Sequence, residues 1–266
     1  MPVNDDLGRR MKENYEMRAR TSLVRRMPVA IRIDGKAFHT FTRGLKRPFD
    51  GILMNAMKTT MLDLCKHIQG CVFGYTQSDE ITLILIDYQT LTTDAWFDYE
   101  VQKLTSISAS MATLYFNRAF TETADYWIDN YWGSWNHNED DDKYLETLNK
   151  CCEMGAIFDA RCFNIPKEEV CNLIYWRQLD ATRNSIQMVG QTYFSQKQLH
   201  GKSCNDIQDM LMQEYKINWN NYSADKKRGT ACYHEEDGWV VDTNMPILKG
   251  NSREYVEKHI YLKEDE

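Results

Sequence analysis

Two short acidic turns, Arg32-Ile33-Asp34-Gly35-Lys36 and Gln77-Ser78-Asp79-Glu80, each close an apolar run. Carboxylates at neighbouring strand ends can hold Mg²⁺ through hard oxygen ligands while leaving positions open for phosphate oxygens. In the first run Val29, Ile31 and Ile33 alternate with Ala30, Arg32 and Asp34, the period of two of a half-buried strand whose acid lies opposite the apolar stripe. Gly35 then lets the backbone approach a ligand. In the second, the apolar runs 71–75 and 81–86 flank a polar tetrad, which predicts a hairpin with Ser78, Asp79 and Glu80 at its tip. On spacing alone, Asp-Gly and Ser-Asp-Glu serve equally as solvated turns.

The elements needed to carry these turns follow in the order helix, strand, helix, hairpin, helix, strand, helices. Leu53, Met57, Met61, Leu64 and Ile68 have helical spacing after Asp50, residues 94–118 read as a further helix, and 156–163 as a strand. Pro166 opens a helix running through Trp176. Met54, Met57 and Met61 are assigned to the core. The βαββαβ order predicts an α+β fold: a ferredoxin-like, polymerase palm-like antiparallel sheet with helices packed on it and a mainly helical C-terminal part. The expected organisation is a palm-like core over 1–165, a helical part of the same domain over 166–230, and a peripheral tail over 231–266. Residues 121–153 are expected to be a peripheral insertion, with Tyr126, Trp127, Tyr131, Trp132 and Trp135 beside the acids 139–142.

The chain has 266 residues, 42% hydrophobic, and no run of eighteen apolar residues, so a soluble cytoplasmic protein is expected. Eight cysteines without a C-x-x-C pair argue against a zinc ribbon and for free thiols. The net charge of −7 is unevenly spread, because residues 1–60 hold 13 Lys/Arg against 6 Asp/Glu. A basic face formed by Arg9, Arg10, Lys12, Arg18, Arg20, Arg25 and Arg26, with Arg43, Lys46 and Arg47, is what a phosphodiester end requires. A solvated amphipathic helix over 5–20 is the alternative for the earliest arginines.

The segments Arg32-Ile33-Asp34-Gly35-Lys36-Ala37-Phe38-His39 and Gln77-Ser78-Asp79-Glu80 resemble the R-x-D-G-x-x-F-H and Q-S-D-E motifs of the tRNA-His guanylyltransferase family. Further matches are Phe158-Asp159-Ala160-Arg161, Tyr175-Trp176-Arg177-Gln178 with Asp180 and Asn184, and Ile217-Asn218-Trp219-Asn220 with Lys227-Arg228-Gly229-Thr230. One departure stands out: where eukaryotic members carry His-Ile-Asn-Asn-Leu-Tyr, this chain reads Thr182-Arg183-Asn184-Ser185-Ile186-Gln187. It is therefore similar to the family's "like" branch, which extends incomplete tRNA 5′ ends against a template base.

The resemblance implies a nucleotidyltransferase in which Asp34, the Gly35 carbonyl and Asp79 hold two Mg²⁺ ions, with Glu80 a further catalytic acid. It implies that Gly35, Lys36, Ala37, Phe38, His39 and Ser78 line an ATP or GTP nucleotide. Arg47, Asp50, Lys103 and Ser106 are candidates for a second nucleotide or RNA contact. Arg177, Arg183, Asn184, Lys227 and Arg228 are candidates for tRNA contact, with a solvated charge run the alternative for 226–228. The implied partners are tRNA and a homotetramer built as a dimer of dimers. The implied activity is template-dependent 3′-to-5′ nucleotide addition. Alternatives are guanylate addition at position −1 of tRNA-His, a nonenzymatic tRNA-binding role, and a palm-fold nucleotide cyclase, whose G-G-D/E-E-F hairpin sequence is absent here.

Overall fold

The computed structural model describes residues 6–132 and 138–262; Trp135 and the terminal 263–266 lie outside the described residues. In chain order the elements are α1 (Asp6–Asn14), β1 (Val29–Gly35), α2 (Phe38–Phe41), α3 (Gly51–His67), β2 (Cys71–Gln77), β3 (Glu80–Leu85), α4 (Val101–Trp132), α5 (Glu139–Met154) and β4 (Phe158–Asn164). There follow α6 (Lys167–Tyr193), α7 (Gln196–Leu199), α8 (Cys204–Tyr215), α9 (Ala224–Arg228), β5 (Thr230–Glu235), β6 (Gly238–Asp242) and α10 (Glu254–Glu257). The six strands form one antiparallel sheet in the order β4-β1-β3-β2-β5-β6. Its first four positions have the ferredoxin-like order, as the βαββαβ reading expects.

Period-two alternation divides the sheet into two faces. Val29, Ile31 and Ile33 turn toward α3 and α4, where Met61, Leu64, Leu104 and Phe116 complete a dry core. The buried α3 positions Ile52, Ala56, Met57, Thr60, Met61 and Leu64 keep the helical spacing. Asp50 starts that helix by accepting a hydrogen bond from the Leu53 N–H at 3.0 Å. On the other face Ala30, Phe73, Tyr75 and Ile84 meet Val170 and Ile174 of α6. Arg32 and Asp34, further along that face, are only partly covered.

Three expectations are corrected. The helix expected from residue 94 begins at Val101, because Phe97 and Asp98 adopt positive φ of 50° and 52°. Of residues 121–153, expected as a peripheral insertion, 121–132 continue α4 and 139–153 belong to α5, whose Tyr144, Leu148 and Cys151 are buried in the main core. Residues 231–262 of the expected tail are not peripheral either. β5 pairs with β2, and Met245, Leu248, Val256 and Ile260 close the second core, so this segment covers a sheet edge and a sheet face that would otherwise be bare.

Candidate active site

Asp34, next to last in β1, lies directly across the ladder from Glu80 on β3 and Asp159 on β4. Directly opposed residues share a face, so three acids form a row, and Arg32 and Arg161, two residues along, form a parallel basic row. The β2–β3 hairpin brings Asp79 to the same end, where its carbonyl accepts a hydrogen bond from the Gly35 N–H at 3.1 Å. The Lys36 N–H donates to the Ile157 carbonyl at 2.8 Å. The chain then turns through Ala37 at φ 52°, and Ser78 in the facing hairpin has φ 51°. Two non-glycine residues in the left-handed region on adjacent turns mark a backbone held against its preference.

The row is unevenly neutralised. Glu80 is buried, with Arg32 Nη2 at 2.8 Å and Arg177 Nε at 2.6 Å on its two oxygens. Asp34 and Asp79 make no salt bridge among the described residues. Burial, with Glu80 and Asp159 nearby, raises the Asp34 carboxyl above its ordinary value. Burial, with Asp34 and Glu80 nearby, does the same to Asp79 against an opposing hydrogen bond from Ser78. Partly dry carboxylates that repel one another are relieved by a cation. A pair of carboxylates beside a main-chain carbonyl is a hard-oxygen donor set suited to Mg²⁺, which commonly takes one or two carboxylates and keeps its remaining positions for water and phosphate. Among the described residues no cluster of three or more His, Cys, Asp or Glu has metal-site geometry.

Gly35, Ala37, Phe38, His39, Ser78 and Asp79 line one recess of about 450 Å³ together with Thr42 and Leu53. Five of the six residues expected to line a nucleotide are thus brought together. Lys36 is exposed beside the recess. The Phe38 ring itself packs into the core against Phe41, Phe116 and Phe158, at centroid distances of 5.2, 5.5 and 5.4 Å. The first N–H groups of α2 have no intrahelical carbonyl to meet and can serve phosphate oxygens.

A second cavity of about 230 Å³ adjoins this recess, sharing Thr42, Leu53 and Ser78. Arg47, Asp50 and Asn184 line it, as do Ser185, Met188, Gln191 and Lys226, of which Met188 and Gln191 stand in no motif singled out in the sequence. The available signal was helical spacing: Ala181, Ser185, Met188 and Gln191 form one stripe of α6.

Other candidates are placed elsewhere or engaged otherwise. Glu80, expected as a further catalytic acid, is committed to two guanidiniums and so ties α6 to β3. Asp50 is the cap of α3, and its other oxygen accepts from the Tyr144 hydroxyl at 2.7 Å and the Lys46 N–H at 2.9 Å. Lys103 pairs with Glu100 at 3.8 Å. It lies about 15 Å up α4 from Thr113, whose hydroxyl meets the Phe158 N–H at 3.1 Å. Ser106 shares that remote end of the helix. Arg177 is buried with Glu80 and Asp180, and Arg183 is bonded to Asp180. Lys227 donates to the Asn220 carbonyl at 2.6 Å and Arg228 to the Met245 carbonyl at 2.9 Å, so both brace the chain. Arg20 pairs with Glu100, and Arg25 and Arg26 bond Asp87. They gather near Val29, about 17 Å along β1 from Asp34, and do not surround the acids.

The tRNAHis guanylyltransferase family description matches residues 8–166. A bacterial tRNA(His) guanylyltransferase-like protein in complex with ATP is 42% identical, covers 96% of this chain and 99% of its own, and superposes with a TM-score of 0.81. A bacterial protein of the same description in complex with GTP is 37% identical, with coverages of 97% and 100% and a TM-score of 0.75. A probable tRNA(His) guanylyltransferase of Dictyostelium discoideum is 25% identical over 90% of this chain and 86% of its own. Among the described residues no helix is long and apolar enough to cross a membrane.

Proposed function

Because the chain belongs to the tRNAHis guanylyltransferase family and is a nucleotidyltransferase, we propose that it extends incomplete tRNA 5′ ends in the 3′-to-5′ direction, choosing each nucleotide by pairing with the opposite strand. The observation that carries this reading is the juxtaposition of two un-neutralised carboxylates, Asp34 and Asp79, with a recess lined by the β1–α2 turn and the β2–β3 hairpin. The repair reading, in preference to guanylate addition on tRNA-His, is supported by the Thr182-Arg183-Asn184-Ser185 departure. Identity to the bacterial like protein, at 42%, also exceeds the 25% to the Dictyostelium guanylyltransferase.

In the proposed reaction a tRNA 5′-monophosphate attacks the α-phosphate of ATP or GTP and releases pyrophosphate. The 3′-hydroxyl of an incoming nucleoside triphosphate then attacks the activated 5′ phosphate and releases the nucleoside monophosphate, leaving the extended end with a triphosphate. Asp34, Asp79 and the Gly35 carbonyl are the groups that would hold Mg²⁺, which when bound stabilises charge on the attacking and leaving oxygens. Ser78 and the N–H groups of the Ala37–His39 turn orient the polyphosphate. Arg47 and Asn184, in the adjoining cavity, face a second nucleotide or the RNA end. Positioning and charge neutralisation do most of the work in phosphoryl transfer, so the protein need not read the base. A homotetramer, as the resemblance implies, is part of this proposal.

The test is a 5′-truncated, 5′-labelled tRNA incubated with ATP, Mg²⁺ and each nucleoside triphosphate in turn, with the opposing base varied. Incorporation that follows the opposing base on several tRNA species is expected. Guanylate added regardless of that base, and only to tRNA-His, replaces repair by maturation. Cyclic products from GTP alone would point to a cyclase.

A further inference from the structure

Trp176 projects from α6 with 52% of its surface exposed. Two guanidinium groups lie over its ring: Arg177 Cζ is 4.5 Å and Arg32 Cζ 5.4 Å from the centroid. Both are fixed from below, since Glu80 accepts from Arg177 Nε at 2.6 Å and from Arg32 Nη2 at 2.8 Å. The ring is thus held in place by positive charge against it while about half of its surface stays exposed. Arg32 precedes Asp34 by two residues on the same face of β1, so the ring stands on the α6 side of the acids. Trp176 does not line the nucleotide recess, which is formed by Gly35, Ala37, Phe38 and His39 with Ser78 and Asp79 of the facing hairpin. A reaction at Asp34 and Asp79 between a nucleotide and a nucleic-acid end would bring the nucleotide from the recess and the other reactant from the side of Trp176.

We propose that Trp176, supported by the guanidiniums of Arg32 and Arg177, is the stacking platform for the terminal base pair of an RNA duplex whose 5′ phosphate lies at the carboxylates. This rests on the function proposed above. An aromatic plane accepts any base through its π face, so the platform holds a duplex end without reading its sequence. Arg161, across the ladder from Arg32, bonded to Asp159 at 3.0 Å and with 55% of its side chain exposed, adds a guanidinium on the same face. Trp176 is a positioning residue here, because the reacting phosphate is at Asp34 and Asp79.

The experiment uses a blunt-ended RNA hairpin with a 5′-monophosphate and 2-aminopurine as the first nucleotide. The full-length protein and its Trp176→Ala, Trp176→Leu and Trp176→Phe variants are titrated into it. Wild type and Trp176→Phe are expected to quench the 2-aminopurine fluorescence. Trp176→Ala should lose the quench and bind the hairpin about five- to hundredfold more weakly, with ATP binding unchanged. Wild-type quenching and affinity in Trp176→Ala overturn the platform. Should the alanine variant fail to fold, Trp176→Leu decides, since it keeps apolar bulk without an aromatic face: a retained quench overturns the proposal and a lost quench supports it. A Trp176-dependent quench by a protein that adds no nucleotide would keep the platform and remove the proposed function. Nucleotide addition by wild type, with Trp176→Ala unaltered in quench and KM for the hairpin, would do the reverse.

Discussion

Arg177, midway along α6, donates from Nε to Oε1 of Glu80 at 2.6 Å, joining residues 97 positions apart. The helix is thereby fixed to the strand that begins next to Asp79. Both side chains are nearly dry, 7% and 6% exposed. Removing one member of such a pair costs ~3–5 kcal/mol because the other is left buried and uncompensated. Glu80→Ala is expected near the lower end of that range, since Asp180 still accepts from Arg177 Nη2 at 2.8 Å. Glu80→Gln, which keeps an acceptor, should lose less. Urea denaturation checks this, and an unchanged midpoint in Glu80→Ala would mean that the pair does not hold the helix in place.

Asp34→Ala and Asp79→Ala should each lower nucleotide addition by on the order of 10²-fold or more while the protein stays folded. Their raised carboxyls also set a sign. Just above the ordinary value of 3.8 the native chain still holds protons that the unfolded chain has released. The contribution of these two groups to stability without metal therefore falls as pH rises through that window, opposite to a salt-bridged acid. Subtracting the pH profile of Asp34→Asn from that of wild type, by urea denaturation in EDTA, isolates the effect. Mg²⁺ should raise the melting temperature of wild type and not of Asp34→Asn. A difference profile that climbs with pH would contradict the assignment.

Gly35 is packed so closely that a Cβ there would fall 2.1 Å from Phe38 Cδ2. Gly35→Ala must push the Phe38 ring out of its cluster with Phe41, Phe116 and Phe158, and α2 with it. A loss of about 1–3 kcal/mol is expected from overpacking. ATP binding should weaken as well, because the same turn lines the recess; calorimetric titration with ATP showing wild-type affinity would detach the recess from nucleotide binding.

His259 lies against Phe73 and Tyr233, with ring centroids at 5.8 and 4.9 Å, and burial lowers its pKa to about 4. Between that value and the ordinary 6.5 the unfolded chain takes up a proton that the native chain refuses. Its contribution is full above pH 6.5 and is lost as pH falls toward 4. His259→Gln should remove that part of the acid sensitivity, measured as the change in denaturation midpoint with pH. An unaltered slope would place the loss elsewhere.

Alternation in β1, the polar tip between β2 and β3, the helical spacing of α3 and the βαββαβ order were all legible in the amino-acid sequence. Each is a local periodicity set by backbone geometry and by which side chains shun water. Asp34, Asp79 and the Gly35–His39 turn were legible for the same reason, since each is a strand end or a turn. Partners were another matter. Glu80 and Asp79 are adjacent acids of like chemistry, and only the arrival of Arg177 and Arg32 makes one an ion-pair anchor and leaves the other un-neutralised. Asp50 became a cap because Leu53 follows it and Tyr144 of α5 reaches it. The Thr230–Glu235 segment shows no alternation, because four consecutive residues are buried between the two cores, and so it did not read as a strand. Its place is decided by the free edge of β2, and the pairing of an edge, like the pairing of a charge, is a long-range contact that no local period encodes.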